Sequence, residues 1–359
     1  MKIIVYAICK DEAQFVERFM RSCTGEADGV YMLDTGSTDG TPELLRTLGA
    51  TVQVAKIEPW RFDAARNASL AMLPEDADVC ICLDLDEVLC PGWREALVAA
   101  WVPGTTRAAY RYTWNFNPDG SEGCVFYTDK VHSRHGYKWL HPVHEVLTPC
   151  GITEKKVTVW GMQLDHHADQ SKSRAQYLPL LELSVKEAPD DDRNMHYLGR
   201  EYYFYRRWDE CITTLKRHLS LPTSTWPDER CASMRYIASA YEAKGEHQQS
   251  GQWLLRAVAE APHLREPFVE LALYFYKTGD WDGVVWATSR AVAITERPQT
   301  YINDAKSWGS LPWDLRCLGL YRTGRLKEAL EAARAACKLS PSDERLRKNA
   351  ELIENELNA

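Results

Sequence analysis

Over residues 1–166 short apolar runs alternate with stretches of helical period. Residues 2–8 predict a strand. Residues 12–23 predict a helix that puts Phe15, Val16 and Phe19 on one face. A second strand follows at 29–33, then a helix at 42–48 with Pro42 in its first turn. Residues 51–55 predict a third strand, 62–73 a helix, and 79–83 a fourth strand that is apolar throughout. Strand and helix in alternation imply a mostly parallel, Rossmann-like α/β sheet covered by helices. Later strands are expected at 107–115, 124–131, 143–147 and 155–160, some of them antiparallel.

From about residue 174 the pattern is helical throughout, and it repeats. Arg206-Arg207-Trp208 and Gly279-Asp280-Trp281 occupy equivalent turns between paired helices, and Gly245 and Gly324 mark two more. The steps between these turns are 39, 34 and 45 residues, and each turn follows an aromatic: Tyr205, Tyr241, Tyr276 or Tyr321. The pattern resembles tetratricopeptide repeats, whose unit is about 34 residues. The aromatic stripe reads first as core between helices. The expected division is an α/β domain at 1–170 and an all-α repeat domain at 171–359.

Charge separates the same halves. Residues 1–170 hold 16 Lys/Arg against 24 Asp/Glu, while residues 171–359 hold 27 of each. An acidic first half suits a site built around a divalent cation and argues against broad binding to a phosphate backbone. The opening apolar run, residues 3–9, is too short for a signal peptide, and no stretch is long enough to span a membrane. The 11 cysteines are scattered. A reducing, cytoplasmic setting is therefore expected.

The sharpest chemical signal is Leu83-Asp84-Leu85-Asp86-Glu87, directly after the apolar strand. Carboxylates at i and i+2 leave a strand on one side. Burying them is costly unless a cation or hydrogen-bond donors satisfy them. A divalent ion with a diphosphate would do so; a solvated helix cap is the plain alternative. Glu87, next in an extended segment, is expected on the other face. Asp34-Thr35-Gly36-Ser37-Thr38-Asp39-Gly40-Thr41 follows the second strand and could hold a base and ribose, or simply turn the chain. Arg66, in Phe62-Asp63-Ala64-Ala65-Arg66-Asn67, could reach a diphosphate or pair with a carboxylate.

In order, "A-I-C-K-D-E", "L-D-T-G-S-T-D-G-T", "F-D-A-A-R-N" and "L-D-L-D-E" resemble family 2 glycosyltransferases of the GT-A fold. With the repeats behind them they are similar to glycosyltransferases with tetratricopeptide tails and to peptide S-glycosyltransferases. The resemblance implies a hexosyl- or pentosyltransferase using a nucleotide-diphosphate sugar, a UDP-sugar first, with Mn²⁺ or Mg²⁺. It implies donor contacts from Ile8, Lys10, Glu12, Asp34, Thr35, Gly36, Arg66, Asp84 and Leu85. Asp86 is implied on the metal, with His166 or His167 as a further ligand, His166 matching better. In His141-Pro142-Val143-His144-Glu145 the implied base for inverting transfer is Glu145, with His144 orienting it or the acceptor; a structural Glu–His pair is the alternative.

A protein or peptide acceptor is expected from the repeats, which could also pair two copies of the chain. Transfer to a glycan or to a modified viral DNA base stays open. So does a non-catalytic scaffold with a degenerate transferase domain.

Overall fold

The computed structural model describes residues 1–117, 119–169 and 175–359. They form two compact units: Met1–Ser184 with Gln299–Tyr301, and Val185–Pro298 with Ile302–Ala359. The expected division between residues 170 and 171 falls outside the described residues.

The first unit opens with β1 (Ile3–Cys9), α1 (Ala13–Cys23), β2 (Gly29–Asp34), α2 (Thr41–Thr47), β3 (Thr51–Val54), α3 (Phe62–Ala71) and β4 (Val79–Leu83). It continues with β5 (Glu87–Leu89), α4 (Trp93–Ala100), β6 (Arg107–Thr113), β7 (Val125–Ser133), β8 (Tyr137–Leu140), β9 (Val146–Pro149), β10 (Lys156–His166) and α5 (Tyr177–Glu187). Eight strands make one mixed sheet in the order β3-β2-β1-β4-β7-β6-β10-β5, and β8 pairs with β9 apart from it. β1 through β4 run parallel; β7 opposes both β4 and β6; β10 runs parallel to β6 and antiparallel to β5. This is the α/β GT-A arrangement expected from the sequence.

Alternation along β1 assigns its two faces. Ile3, Val5, Ala7 and Cys9 join a core with Val16, Phe19 and Met20 of α1 and Trp93 and Leu97 of α4. Ile4 and Tyr6 pack on the opposite face with Leu70 of α3 and with Tyr137, Trp139 and Leu147 of the β8–β9 pair. A strand buried on both faces has to be apolar throughout, as β1 and β4 are. Each fully buried large side chain here contributes about 1.5–3 kcal/mol.

Four differences from the sequence reading have local causes. β5 and α4 are absent from the elements expected: β5 has only three residues, while α4, which starts directly after Gly92 at φ 84°, does carry helical spacing in Trp93, Ala96, Leu97 and Ala100. The four-residue β8 is likewise absent from the strands expected. The strand expected at 143–147 begins only at Val146, because His141 and His144 take φ of 80° and 50° and cannot extend. β10 runs on to His166 because an irregularity between Val159 and Gln163 lets pairing with β6 resume, Val159 facing Tyr110 and Gln163 facing Arg111. Gly161 lies in that irregularity, and a Cβ there would sit 3.1 Å from the Cβ of Ala96 on α4.

The second unit is all-helical, as a TPR-like repeat requires: α6 (Asp192–Phe204), α7 (Trp208–Ser220), α8 (Pro227–Ala243), α9 (His247–Glu260), α10 (Glu266–Thr278), α11 (Trp281–Ala293), α12 (Ala305–Trp308), α13 (Leu311–Arg322), α14 (Leu326–Leu339) and α15 (Glu344–Asn358). The four turns marked in the sequence join α6 to α7, α8 to α9, α10 to α11, and α13 to α14. Each holds a residue in the left-handed region: Arg206 at φ 57°, Gly245 at 77°, Gly279 at 76° and Gly324 at 74°. The long last step is an insertion that carries α12.

Arg206 is the one non-glycine among these four turns, and its Cβ strains a conformation glycine adopts freely. Arg206→Gly is expected to stabilise the second unit by about 0.5–1 kcal/mol; thermal unfolding checks it, and a lowered midpoint counts against the strain. A second expectation concerns His132. Its Nε2 accepts from the Tyr6 hydroxyl at 2.8 Å, its Nδ1 meets the Ser133 carbonyl at 2.8 Å, and Trp139 Nε1 donates to Tyr6 Oη at 2.9 Å. Burial pushes the His132 pKa down to about 4 from the ordinary 6.5. The unfolded chain thus takes up a proton that the folded one refuses. This contribution is intact above pH 6.5 and falls between pH 6.5 and 4, by up to about 1.4 kcal/mol per pH unit. Urea unfolding of His132→Gln across that range should show a flatter slope than the wild type.

Candidate functional site

The loop after β2 shapes itself before it can hold anything else. Asp34 Oδ1 accepts from the backbone N–H groups of Gly36 and Ser37 at 3.0 and 2.9 Å, and the Ser37 hydroxyl donates to Oδ2. Asp34 is fully buried in doing this. Gly36 takes φ of 110°, a region open to glycine. The loop also caps α1, whose N-terminus lacks a cap of its own: Glu12 N–H donates to Thr41 Oγ1 and Ala13 N–H to Asp39 Oδ2, each at 2.9 Å. Thr38 N–H closes onto Asp11 Oδ1 at 2.7 Å. Ile8, Glu12, Thr35 and Asp34 are therefore largely buried at the strand ends, while Lys10 and Gly36 stand exposed.

Arg66 is the hub of the next shell. It is 4% exposed. Its Nε donates to Glu145 Oε1 at 2.9 Å, its Nη1 to the Leu83 carbonyl at 3.1 Å and to Cys82 Sγ at 3.4 Å, and its Nη2 to Asp84 Oδ1 at 2.5 Å. The indole of Trp139 lies against the guanidinium at 5.7 Å. The next residue, Asn67, fixes that partner: its amide donates to the Trp139 carbonyl at 2.8 Å and accepts from the Trp139 N–H at 2.9 Å. Phe62 N–H adds a bond to the Pro142 carbonyl at 2.9 Å. α3 thus fastens the 139–145 segment and brings Glu145 to the end of β4. His144 stacks on Tyr177 at 5.7 Å between ring centres. Of the positive-φ non-glycine residues among those described, Asp11, His141 and His144 belong to these loops, and Arg206 lies in the other unit. Such conformations cluster at functional loops.

Asp84 and Asp86 part company after β4. Asp84 turns to Arg66 and to Lys130, whose Nζ lies 3.3 Å from Oδ2. Burial raises the Asp84 pKa, but the two cations outweigh it and hold the carboxyl well below its usual range. Leu85 is buried in the core and anchors the turn. Asp86 Oδ2 faces His166 Nε2 at 3.4 Å, and His166 Nδ1 is fixed by the Trp114 carbonyl at 2.8 Å. His167 differs: its ring stacks on Phe116 at 5.4 Å, and its backbone N–H donates to the Asp86 carbonyl at 2.8 Å. Pairing of His166 with Glu87 across β10 and β5 sets this placement.

Glu87 corrects the sequence expectation. It does not point away from Asp84, because the turn at Leu85 and Asp86 breaks the extended alternation. Its carboxylate, 1% exposed, accepts from Lys130 Nζ at 2.8 Å, Tyr112 Oη at 2.8 Å and the Asp84 N–H at 2.9 Å. Burial raises its pKa in spite of Lys130. Sequence reasoning missed Lys130, Tyr112, Trp114 and Trp139. The available signal for Lys130 was a lone lysine inside an otherwise strand-like run.

In the second unit, Asp192, His218 and Glu229 place ligand-type atoms within 4.8 Å of one another. The two carboxylates lie in the first turns of α6 and α8, where helix N-termini already favour negative charge. His218 bonds Ser233 and Ser224 at 3.0 and 3.1 Å. The cluster is accounted for as a polar network between helices.

Residues 4–131 match the family described as Glycosyl transferase family 2, about a third of the chain and all within the first unit. No curated protein matches the chain. Among solved structures the chain is similar to MamA, at 18% identity and a TM-score of 0.38 over 49% of this chain and 96% of that one. It is also similar to YrrB, described as a TPR protein with an unusual peptide-binding site, at 15% identity and a TM-score of 0.40 over 50% of this chain and 84% of that one. No helix among the described residues is long and apolar enough to cross a membrane. Residues 4–131 of the first unit are thus similar to glycosyltransferase family 2 domains.

Proposed function

We propose that the chain is a metal-dependent, inverting glycosyltransferase that takes a sugar from a nucleoside-diphosphate donor, a UDP-sugar first, and passes it to a protein or peptide. One observation carries the metal: Asp86 and His166 face each other at 3.4 Å, while Trp114 holds the far ring nitrogen of His166. An imidazole lone pair opposite a carboxylate needs a proton or a metal ion between them, and a carbonyl on the other ring nitrogen is the usual way a ligand histidine is oriented. The oxygen and nitrogen donors suit Mn²⁺ well and Mg²⁺ less naturally. When bound, the ion would neutralise charge on the departing diphosphate.

The chain's own residues supply the rest. Lys10, Gly36 and the backbone around Ile8, Glu12, Asp34 and Thr35 form the rim at the ends of β1 and β2, where nucleotides bind in sheets of this kind. Asp84 and the Leu85 backbone form the opposite rim. Glu145 takes the proton of the attacking acceptor atom, and His144 steadies the loop that carries it. Its ion pair with Arg66 keeps the carboxylate aimed. The helical unit, with Tyr205, Tyr276, Trp286 and Tyr321 exposed, selects the acceptor, and pairing of two copies through it is a further use of the same hairpins.

Two outcomes are expected. EDTA treatment and Asp86→Ala should each abolish metal-dependent hydrolysis of UDP-sugars in a protein that still unfolds cooperatively; full activity in either defeats the metal assignment. Glu145→Gln should slow transfer by about 10²–10⁴ and leave UDP affinity nearly unchanged by calorimetry. A product that keeps the donor's anomeric configuration removes Glu145 from this role.

A further inference from the structure

The two buried cations beside Asp84 are not equivalent. Arg66 gives four of its five N–H groups to Glu145, Leu83, Cys82 and Asp84, and the fifth belongs to a side chain only 5% exposed. An incoming anion could take over its bonded N–H groups only by displacing Asp84 or Glu145, and Glu145, 12% exposed, would then be left poorly solvated without its cation. That exchange is costly. Lys130 is placed differently. Its ammonium has three N–H donors, and two acceptors receive them: Glu87 Oε1 at 2.8 Å and Asp84 Oδ2 at 3.3 Å. Its side chain is 22% exposed, against 5% for Arg66. Burial lowers the Lys130 pKa, but Glu87 and Asp84 outweigh it and keep the ammonium charged. Through Glu87 and Tyr112 it is also linked to the metal pair, since the Tyr112 ring stacks on His166 at 6.1 Å between centres.

We infer that Lys130 is the residue whose remaining N–H meets an anionic oxygen of the donor's diphosphate, and that Arg66 is a positioning residue that holds Asp84 and Glu145 in place. The assignment rests on the transferase reading above and names which cation of that site the ligand touches. Glu87 and Tyr112 then hold the ammonium at the edge of the site, so that its charge is oriented before the anion arrives. No rearrangement of the Arg66 cluster is required when the donor binds.

The test is calorimetry of the full-length protein with UDP and Mn²⁺, and separately with uridine. Lys130→Met is expected to weaken UDP binding about 10- to 100-fold, the range of one charge-assisted hydrogen bond, and to change uridine binding by less than about threefold on the same scale. Uridine binding by that variant also reports whether it has folded. Lys130→Arg keeps the charge beside Glu87 and should retain UDP binding within about tenfold, one logarithmic step in affinity. Arg66→Lys should do the reverse of Lys130→Met: UDP affinity nearly that of the wild type and a fall in kcat as Glu145 loses its fixed partner. Unchanged UDP binding by Lys130→Met, or equal losses for UDP and uridine, overturns the assignment alone. A wild type that binds no nucleoside diphosphate with Mn²⁺ overturns the transferase reading, and this assignment with it.

Discussion

A guanidinium taken out of water costs several kcal/mol unless carboxylates and carbonyls replace the lost hydration, and Arg66 has gathered all of these around itself. Its partners come from two separated parts of the chain: Cys82 to Asp84 at the end of β4, and the 139–145 segment, with Trp139 in β8 and Glu145 just before β9. Without the cation two carboxylates would face each other at the end of a parallel strand. With it, the end of β4 and the 139–145 segment become one rigid rim. Asn67 follows as the adjacent residue on the helix and copies a strand partner for Trp139. One turn of α3 therefore sets both the electrostatics and the placement of that rim.

Lys130, Glu87 and Tyr112 form a second knot beside it, and Asp84 belongs to both. The pKa directions agree with this picture. Asp84, held by two cations, is driven low, while Glu87, deeper and facing one, is driven high. A charge introduced at the mouth of the site would be felt by both knots, since the screening that water gives exposed pairs is weak at this depth.

Much of this was legible in the residues because period and chemistry coincide. The apolar runs of β1 and β4 placed the centre of the sheet, and the aspartates just beyond β4 marked the end where Arg66, Lys130 and Glu145 gather. Arg66 could be named as a cation of the site but not given its partners, because the contact with Glu145 joins residues 79 positions apart. Lys130 showed only as a lone lysine in a strand-like run, with partners 46 and 43 positions away, and Glu87 was misplaced because alternation does not continue through a turn. His141 and His144 could not be read as left-handed residues, since no side-chain pattern records φ. In the helical unit the opposite held: three of the four repeat turns use glycine, so the conformation was written in the residue type, and Arg206 at the equivalent turn was recognised by its place in the repeat.

The irregularity in β10 gives the Asp86–His166 pair a dependence on counting. Between Val159 and Gln163 lie three residues of β10 with no counterpart in β6, and beyond them the strand resumes pairing in a new phase. Strand side chains alternate in direction, so an odd offset exchanges the faces of everything downstream. His166 meets Asp86 because of that exchange. Loss of a single residue from 160–162 would bring His167 to the position of His166 and turn the His166 ring to the other face. Loss of two would restore the facing but draw the ring back by about 6–7 Å along the strand. The segment therefore works as a spacer whose length, more than its chemistry, is under constraint, and Gly161, pressed against α4, is where that length is gauged.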